Sequence, residues 1–340
     1  MEEAYHRAKG EEEHILPLPG GRQLAYAHNG PSVSRNIVIF FAGMMSVGTA
    51  PDVPIPCREL GMHWIAPTLA GMGRSSTRDM SVPYHIGLAR DISALLEHLY
   101  PSGAFDRIYV AGGSLGTVQA QMLYGAPYDI FPAGRKIVGC MLLAGFSPVK
   151  HDSKYAKELS WQNWFSFGPP SQLPFRPLQR IFRSVISSKF RRQEGAEDFL
   201  RQTIVSQMDE DERVKLGEWL QKNDRTEDEW METATKMVMR SCENWDGFME
   251  ISDVIHSDWG FAPATLDDEH ASKPILVVGS QNDHIGGSNN GWLVENYKSA
   301  KLKVIPGGHI SSVYYMDEIW REMIDLDASI EVPMSRSQVL

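Results

Sequence analysis

Between Val110 and Thr117 the chain reads Val-Ala-Gly-Gly-Ser-Leu-Gly-Thr, with a glycine two residues either side of Ser114. This G-x-S-x-G spacing suits a sharp strand-to-helix turn that holds a serine at its apex and aims the hydroxyl out of a sheet. A serine hydroxyl attacks a carbonyl only when a base takes its proton, and that base is oriented by a third group. Two residues late in the chain fit those roles. Asp283 follows the apolar run Ile275–Gly279, and His309 follows the run Lys301–Ile305, 26 residues further on. All three lie just past a buried strand, where open α/β sheets place their ligands.

Other histidines are weaker bases. His284 adjoins Asp283 and reads as a loop residue, His256 lies in a helical stretch where it could line a pocket, and His85 and His98 fall on a surface-like helix. Asp253 and Asp258 are poorer acids, because no strand end presents them. A tetrahedral oxyanion needs two fixed donors. The backbone N–H of Leu115, directly after the serine, is one. The loop Ala42-Gly43-Met44-Met45 after the strand Asn36–Phe41 would supply the other, through Met44. Met44 and Met45 could equally pack the core or form an adaptable pocket wall. Gly71-Met72-Gly73-Arg74-Ser75 lacks the third glycine of a dinucleotide fingerprint and reads as a tight turn.

The elements that must position these residues alternate. Glu12–Leu18 and Gln23–His28 flank Gly20-Gly21 as a hairpin. Asn36–Phe41, His63–Pro67, Arg107–Ala111 and Lys136–Leu143 read as buried strands. Pro83–Tyr100 carries a one-sided apolar stripe at helical spacing, with Pro83 in the first turn, and Leu115–Tyr124 is a second helix. A mostly parallel central sheet flanked by helices follows. Strand pattern stops near Pro148 and resumes at Pro274–Gly279, then at Lys301–Ile305, before a last helix at Val313–Ile324. The core is thus expected over 1–148 and 265–340, with a helical cap inserted over 149–264, far longer than an ordinary connection.

Composition narrows the function classes. The 340 residues carry a formal charge of −10 and are 42% hydrophobic. The acidic balance argues against nucleic acid as a partner. Three widely spaced cysteines suggest neither a disulfide framework nor a zinc site, and no cofactor is implied. Cys140 reads as a small buried hydrophobe. Residues 1–14 lack the apolar stretch of a signal peptide, and no run approaches a membrane span, so a soluble cytoplasmic protein is expected. Basic residues gather at Arg176, Arg180, Arg183, Lys189, Arg191 and Arg192. The plain reading is a solvated helix face; the other is an anionic surface or substrate.

Taken in order along nearly the whole chain, these segments resemble the cap-containing serine hydrolases of the α/β-hydrolase superfamily. Gly112–Gly116 matches the family's nucleophile elbow, Gly71–Ser75 its G-x-G-x-S turn, and Asp283 and His309 its acid and base. Asn36–Met45 resembles its oxyanion strand and loop, with Ala42-Gly43 where the family often has His-Gly. The general texture is similar to fungal members with long helical caps. A serine at the elbow points away from the dehalogenase and epoxide-hydrolase branches, which use aspartate.

The resemblance implies acyl transfer on a small molecule, with ester or lactone cleavage foremost and carbon–carbon cleavage as a variant. Trp161, Trp164 and Trp245, with Met45, offer apolar walls for such a substrate. They and Met231, Met237 and Met239 could instead form the cap's own core. The same fold also serves non-hydrolytic receptors and lyases or cyclases. An aminopeptidase would need cap carboxylates such as Glu243, Glu250 or Asp253 to hold an ammonium group. Oligomeric state is open, a homodimer included.

Overall fold

A computed structural model describes residues 13–157, 159, 161–283 and 289–331. Eight strands form one sheet: β1 (His14–Pro17), β2 (Gln23–Asn29), β3 (Asn36–Phe41), β4 (His63–Pro67), β5 (Arg107–Gly113), β6 (Ile137–Leu143), β7 (Ile275–Ser280) and β8 (Ala300–Ile305). Their spatial order is β1-β2-β4-β3-β5-β6-β7-β8. β2 runs antiparallel to both β1 and β4, and every other pair is parallel.

The continuous apolar runs have a direct cause: both faces of the sheet are covered. Ile37, Ile39, Val110 and Leu142 point into one core, beneath helices α2 (Tyr84–Leu99) and α3 (Gly116–Tyr124). Their alternates Val38, Ala111 and Leu143 point into the other, against Ile319, Trp320 and Met323 of the C-terminal helix (Met316–Glu331). Between β3 and β4 lies the short helix α1 (Ile55–Glu59), whose Cys57 joins that second core. On α2 the stripe Ala89, Ile92, Leu95 and Leu96 is buried; each of these larger side chains contributes about 1.5–3 kcal/mol by leaving water. Every residue of α3 is buried, as expected of a helix enclosed on all sides. Its Gln121 is satisfied by Thr117 O, Phe146 O and Tyr297 Oη.

Between β6 and β7 the helices include α4 (Trp161–Ser166), α5 (Pro177–Lys189), α6 (Gln193–Thr203), α7 (Glu210–Lys222), α8 (Glu227–Ser241) and α9 (Asp246–Ile255). The block has its own core of Phe190, Ala196, Leu200, Met231 and Val238, against which Met239 packs. Two of the methionines considered for a pocket therefore serve the block's packing. α8 opens with a capping box between Thr226 and Glu229, and Asp209 caps α7. The block is tied to the sheet by Gly247 N–H to Gly71 O and Gly73 N–H to Ser241 O, and by the ion pair Arg78–Glu250. Gly71 has φ 75°, and a Cβ there would lie 2.4 Å from Gly247 N, so this junction requires glycine.

Several element ends differ from the sequence reading. Pro83 is the N-cap of α2 rather than part of its first turn, and β5 runs on to Gly113. Three short helices were not expected: α1, α10 (Asp268–Ala271) and α11 (Asn289–Asn296). The last helix, α12, is the one spanning Met316–Glu331; the expected start at Val313 belongs to a preceding 3₁₀ turn.

His63, on β4, is fully buried between His28 Nδ1 at 2.8 Å and Tyr100 Oη at 2.7 Å. Burial, helped by the neighbouring His28, pushes its pKa down to about 3. An unfolded chain would protonate this residue near the ordinary value of about 6.5. Between those values the unfolded state binds more protons. Stability is therefore full above about 6.5 and falls by up to about 1.4 kcal/mol per unit as pH drops towards 3. In urea unfolding at pH 7 and pH 5, the parent should lose more stability than His63→Gln; equal losses would show that His63 is not a buried neutral group.

Candidate active site

Ser114 lies where β5 turns into α3, and its φ is 50°. That left-handed backbone is rare for a residue with a Cβ and costs of order 1–3 kcal/mol. Close packing holds it. A Cβ on Gly112 would meet Gly116 O at 2.2 Å, and one on Gly116 would meet Phe41 O at 2.1 Å. Ser114 N–H donates to Leu143 O of β6 at 2.8 Å. Ser114 O accepts from Thr117 N at 3.0 Å and Thr117 Oγ1 at 2.6 Å. Thr117 Oγ1 in turn accepts from Phe146 N–H at 3.1 Å.

Asp283 and His309 leave the ends of the adjacent parallel strands β7 and β8. Their loops are laced together: Gln281 N–H donates to Ile305 O and Asn282 N–H to Gly307 O. His309 Nδ1 lies 3.0 and 3.1 Å from the two carboxylate oxygens of Asp283. The Asp283 side chain is 0% exposed and that of His309 is 19% exposed. A buried carboxylate on Nδ1 fixes the ring's orientation and leaves Nε2 as the nitrogen without a partner among the described residues.

The loop after β3 reaches the serine. A Cβ on Gly43 would lie 3.3 Å from Ser114 Cβ and 3.9 Å from its Oγ, so only a very small residue fits without pressing on the serine. Among the described residues neither Met44 N–H nor Leu115 N–H meets a protein acceptor. Ser114 Oγ likewise makes no hydrogen bond, so the structure joins Asp283 to His309 but does not close a bond from His309 to Ser114. Such contacts are often loose before substrate binds.

The expected pocket residues divide. Met45, at φ 57°, packs against the core of the inserted block. Trp245 packs edge-on to Phe248 and lies under Arg183. Trp164 is half-exposed and edge-on to Phe165, so it is no enclosed wall. The Trp161 side chain lies outside the described residues, as does His284. His256 has both nitrogens engaged, by Ser252 O and Tyr155 Oη, and His85 Nδ1 is held by Asp258 O. Asp253 and Asp258 are paired with Arg176 and Lys150.

Two residues of the inserted block were not anticipated. Glu212, buried on α7, accepts a hydrogen bond from Ser311 Oγ, two residues after His309. A Cβ on Gly307 would lie 3.1 Å from the Glu212 carboxyl carbon and 2.3 Å from Ser311 Oγ. Asp209, the cap of the same helix, accepts from Asn282 Nδ2 at 3.0 Å, one residue before Asp283. One helix start thus braces both loops. Nothing in its local sequence separates this from ordinary capping, since the partners are about 70 to 100 residues away.

Residues 55–322 match the model of the alpha/beta hydrolase family, and the chain belongs to that family. Solved structures similar to it include a hydrolase from Pseudomonas aeruginosa PA01 at 16% identity and a TM-score of 0.56, covering 93% of this chain and 98% of that one. A carboxylesterase structure from the thaumarchaeon Nitrososphaera gargenis is 12% identical with a TM-score of 0.54, over 93% and 98% of the two chains. An esterase from Exiguobacterium antarcticum is 13% identical with a TM-score of 0.52, over 94% and 100%. At these identities the likeness is one of fold. No curated protein sequence matches the chain.

Gly116→Ala should force the elbow apart against Phe41 and destabilise the protein by at least about 1–3 kcal/mol, measured by urea unfolding. An unchanged midpoint would contradict the close approach. Glu212→Ala removes the acceptor of a buried hydroxyl and should cost about 1–3 kcal/mol by the same measurement. A neutral effect would show that the helix does not brace the histidine loop.

Proposed function

We propose that the protein is a serine hydrolase that cleaves an ester or lactone of a medium-sized, largely apolar molecule. His309 Nε2 takes the proton of Ser114 as Oγ attacks the carbonyl carbon. Asp283 holds Nδ1–H and stabilises the imidazolium. The N–H groups of Leu115 and Met44 receive the oxyanion. His309 then protonates the leaving oxygen, and a water activated by the same ring releases the acid. The inserted helices act as a cap that shapes the acyl site.

The observation that carries this reading is the pairing of a buried Asp283 with His309 past the ends of β7 and β8, on the same edge of the parallel sheet as the left-handed Ser114 at the end of β5. Family membership supports the hydrolase class. For an aminopeptidase, two of the three candidate carboxylates, Glu250 and Asp253, are already paired with Arg78 and Arg176.

On a nitrophenyl ester panel, Ser114→Ala should lower kcat/KM by at least about 10⁴-fold, and Asp283→Asn by about 10⁴-fold. Steady-state hydrolysis across acyl chain lengths reads both the effect and the apolar preference. Near-parental turnover in Ser114→Ala would refute the nucleophile assignment. Absence of turnover by the parent on every ester and lactone tried would favour the receptor or lyase reading instead.

A further inference from the structure

The basic run seen in the sequence lies on the outside of the inserted block, and its neighbours are unusual. Six of the chain's 33 basic residues and none of its 43 acidic ones fall between 159 and 193. In a chain of net charge −10 this is a local reversal of sign. Arg180, Arg191, Arg192 and Lys189 are exposed and make no ion pair among the described residues. The same stretch carries exposed apolar side chains. Phe175 is 85% exposed, Ile181 58% and Val185 53%. Leu173 is also exposed, and Trp164 and Phe165 stand half-open on α4, which packs against α5.

The arrangement has a structural logic. On α5, Leu178, Gln179, Phe182 and Ile186 turn inward, while Ile181 and Val185 stand one turn apart on the outer face with Arg180, Ser184 and Ser188 around them. Phe175 precedes the helix on a turn where two successive non-glycine residues are left-handed, Phe175 at φ 65° and Arg176 at φ 52°. That strain holds a phenyl ring in water, which the packing of this chain does not repay. Beside it, Arg176, Arg180, Arg183, Ser184 and Ser187 line an open cavity of about 540 Å³ together with Asp246 and Met249.

We propose that this face, centred on Phe175 and α5, docks onto an anionic lipid bilayer. A helix face with aliphatic side chains collared by arginines sits at a bilayer interface, with its apolar groups among the acyl chains and its cations at the headgroups. Long arginine stems let the charges reach phosphate while their carbons cover apolar surface. Half-exposed tryptophan and phenylalanine suit the same depth. A polyanion without lipid would satisfy the charges but leave Phe175, Ile181 and Val185 in water. Among the described residues no helix is long and apolar enough to cross a membrane, so the association is peripheral. It holds whatever Ser114 attacks.

Flotation with phosphatidylcholine vesicles, with and without phosphatidylserine, tests this directly. The unmodified chain should float with the serine-containing vesicles, bind neutral ones far more weakly, and be released by high salt. Arg180→Glu with Arg183→Glu, and separately Phe175→Ser with Ile181→Ser, should each weaken binding by at least about tenfold. All four positions are exposed, and unchanged thermal melts confirm that the variants fold. In the unmodified chain, amide exchange should slow over 173–189 when serine-containing vesicles are added. Absence of flotation, or binding that both double variants retain, would overturn the proposal. So would equally tight binding to soluble polyaspartate or heparin that the apolar variant leaves intact, because the partner would then be an acidic polymer rather than a bilayer.

Discussion

Ser114 can occupy its left-handed turn only because three backbones meet there without side chains between them. β5, α3 and the end of β3 approach so closely at Gly112 and Gly116 that any Cβ would overlap a carbonyl. The strain at one residue is held by hydrogen bonds from Ser114 N–H to β6 and from Thr117 to Ser114 O. The Ser114 hydroxyl is thereby carried at the C-terminal edge of the sheet, where the loops after β3, β7 and β8 also emerge.

Asp283 and His309 depend on a second constraint, the pairing of β7 with β8. Parallel registration delivers the Asp283 and His309 loops side by side, and backbone bonds lace them before the side chains meet. The inserted block then contributes from above. Asp209 and Glu212 bind the two loops from one helix start, so the inserted block and the loops carrying Asp283 and His309 are mechanically linked. A change in how α7 sits would be felt at His309 without any contact to substrate. The same block presents its basic, apolar outer face to the surroundings, so one insertion carries both internal bracing and the surface proposed to meet lipid.

Much of this was legible in the sequence because burial on both sheet faces writes strands as unbroken apolar runs. Asn36–Phe41 and His63–Pro67 coincide with β3 and β4 for that reason. The elbow was legible because glycine at 112 and 116 answers a steric demand that few other turns impose. The pairing of Asp283 with His309 followed from their strand ends together with their order after the serine. What the sequence hid depends on distant contacts. α1, α10 and α11 are too short to show a period. Glu212 resembles any acidic residue in a first helical turn until Ser311 is brought against it. Trp164 looked like an aromatic pocket wall because it lies in an aromatic run of the inserted segment, yet here it stands half in water.

The central claim is that Ser114 is a nucleophile activated by His309. Its most direct test is the rate of covalent modification by a fluorophosphonate, followed by intact mass and by mapping the modified peptide. A single adduct on Ser114, formed by the parent and slowed by orders of magnitude in His309→Ala, is the predicted result. An adduct elsewhere, or one that forms on Ser114 at the same rate without His309, would contradict it.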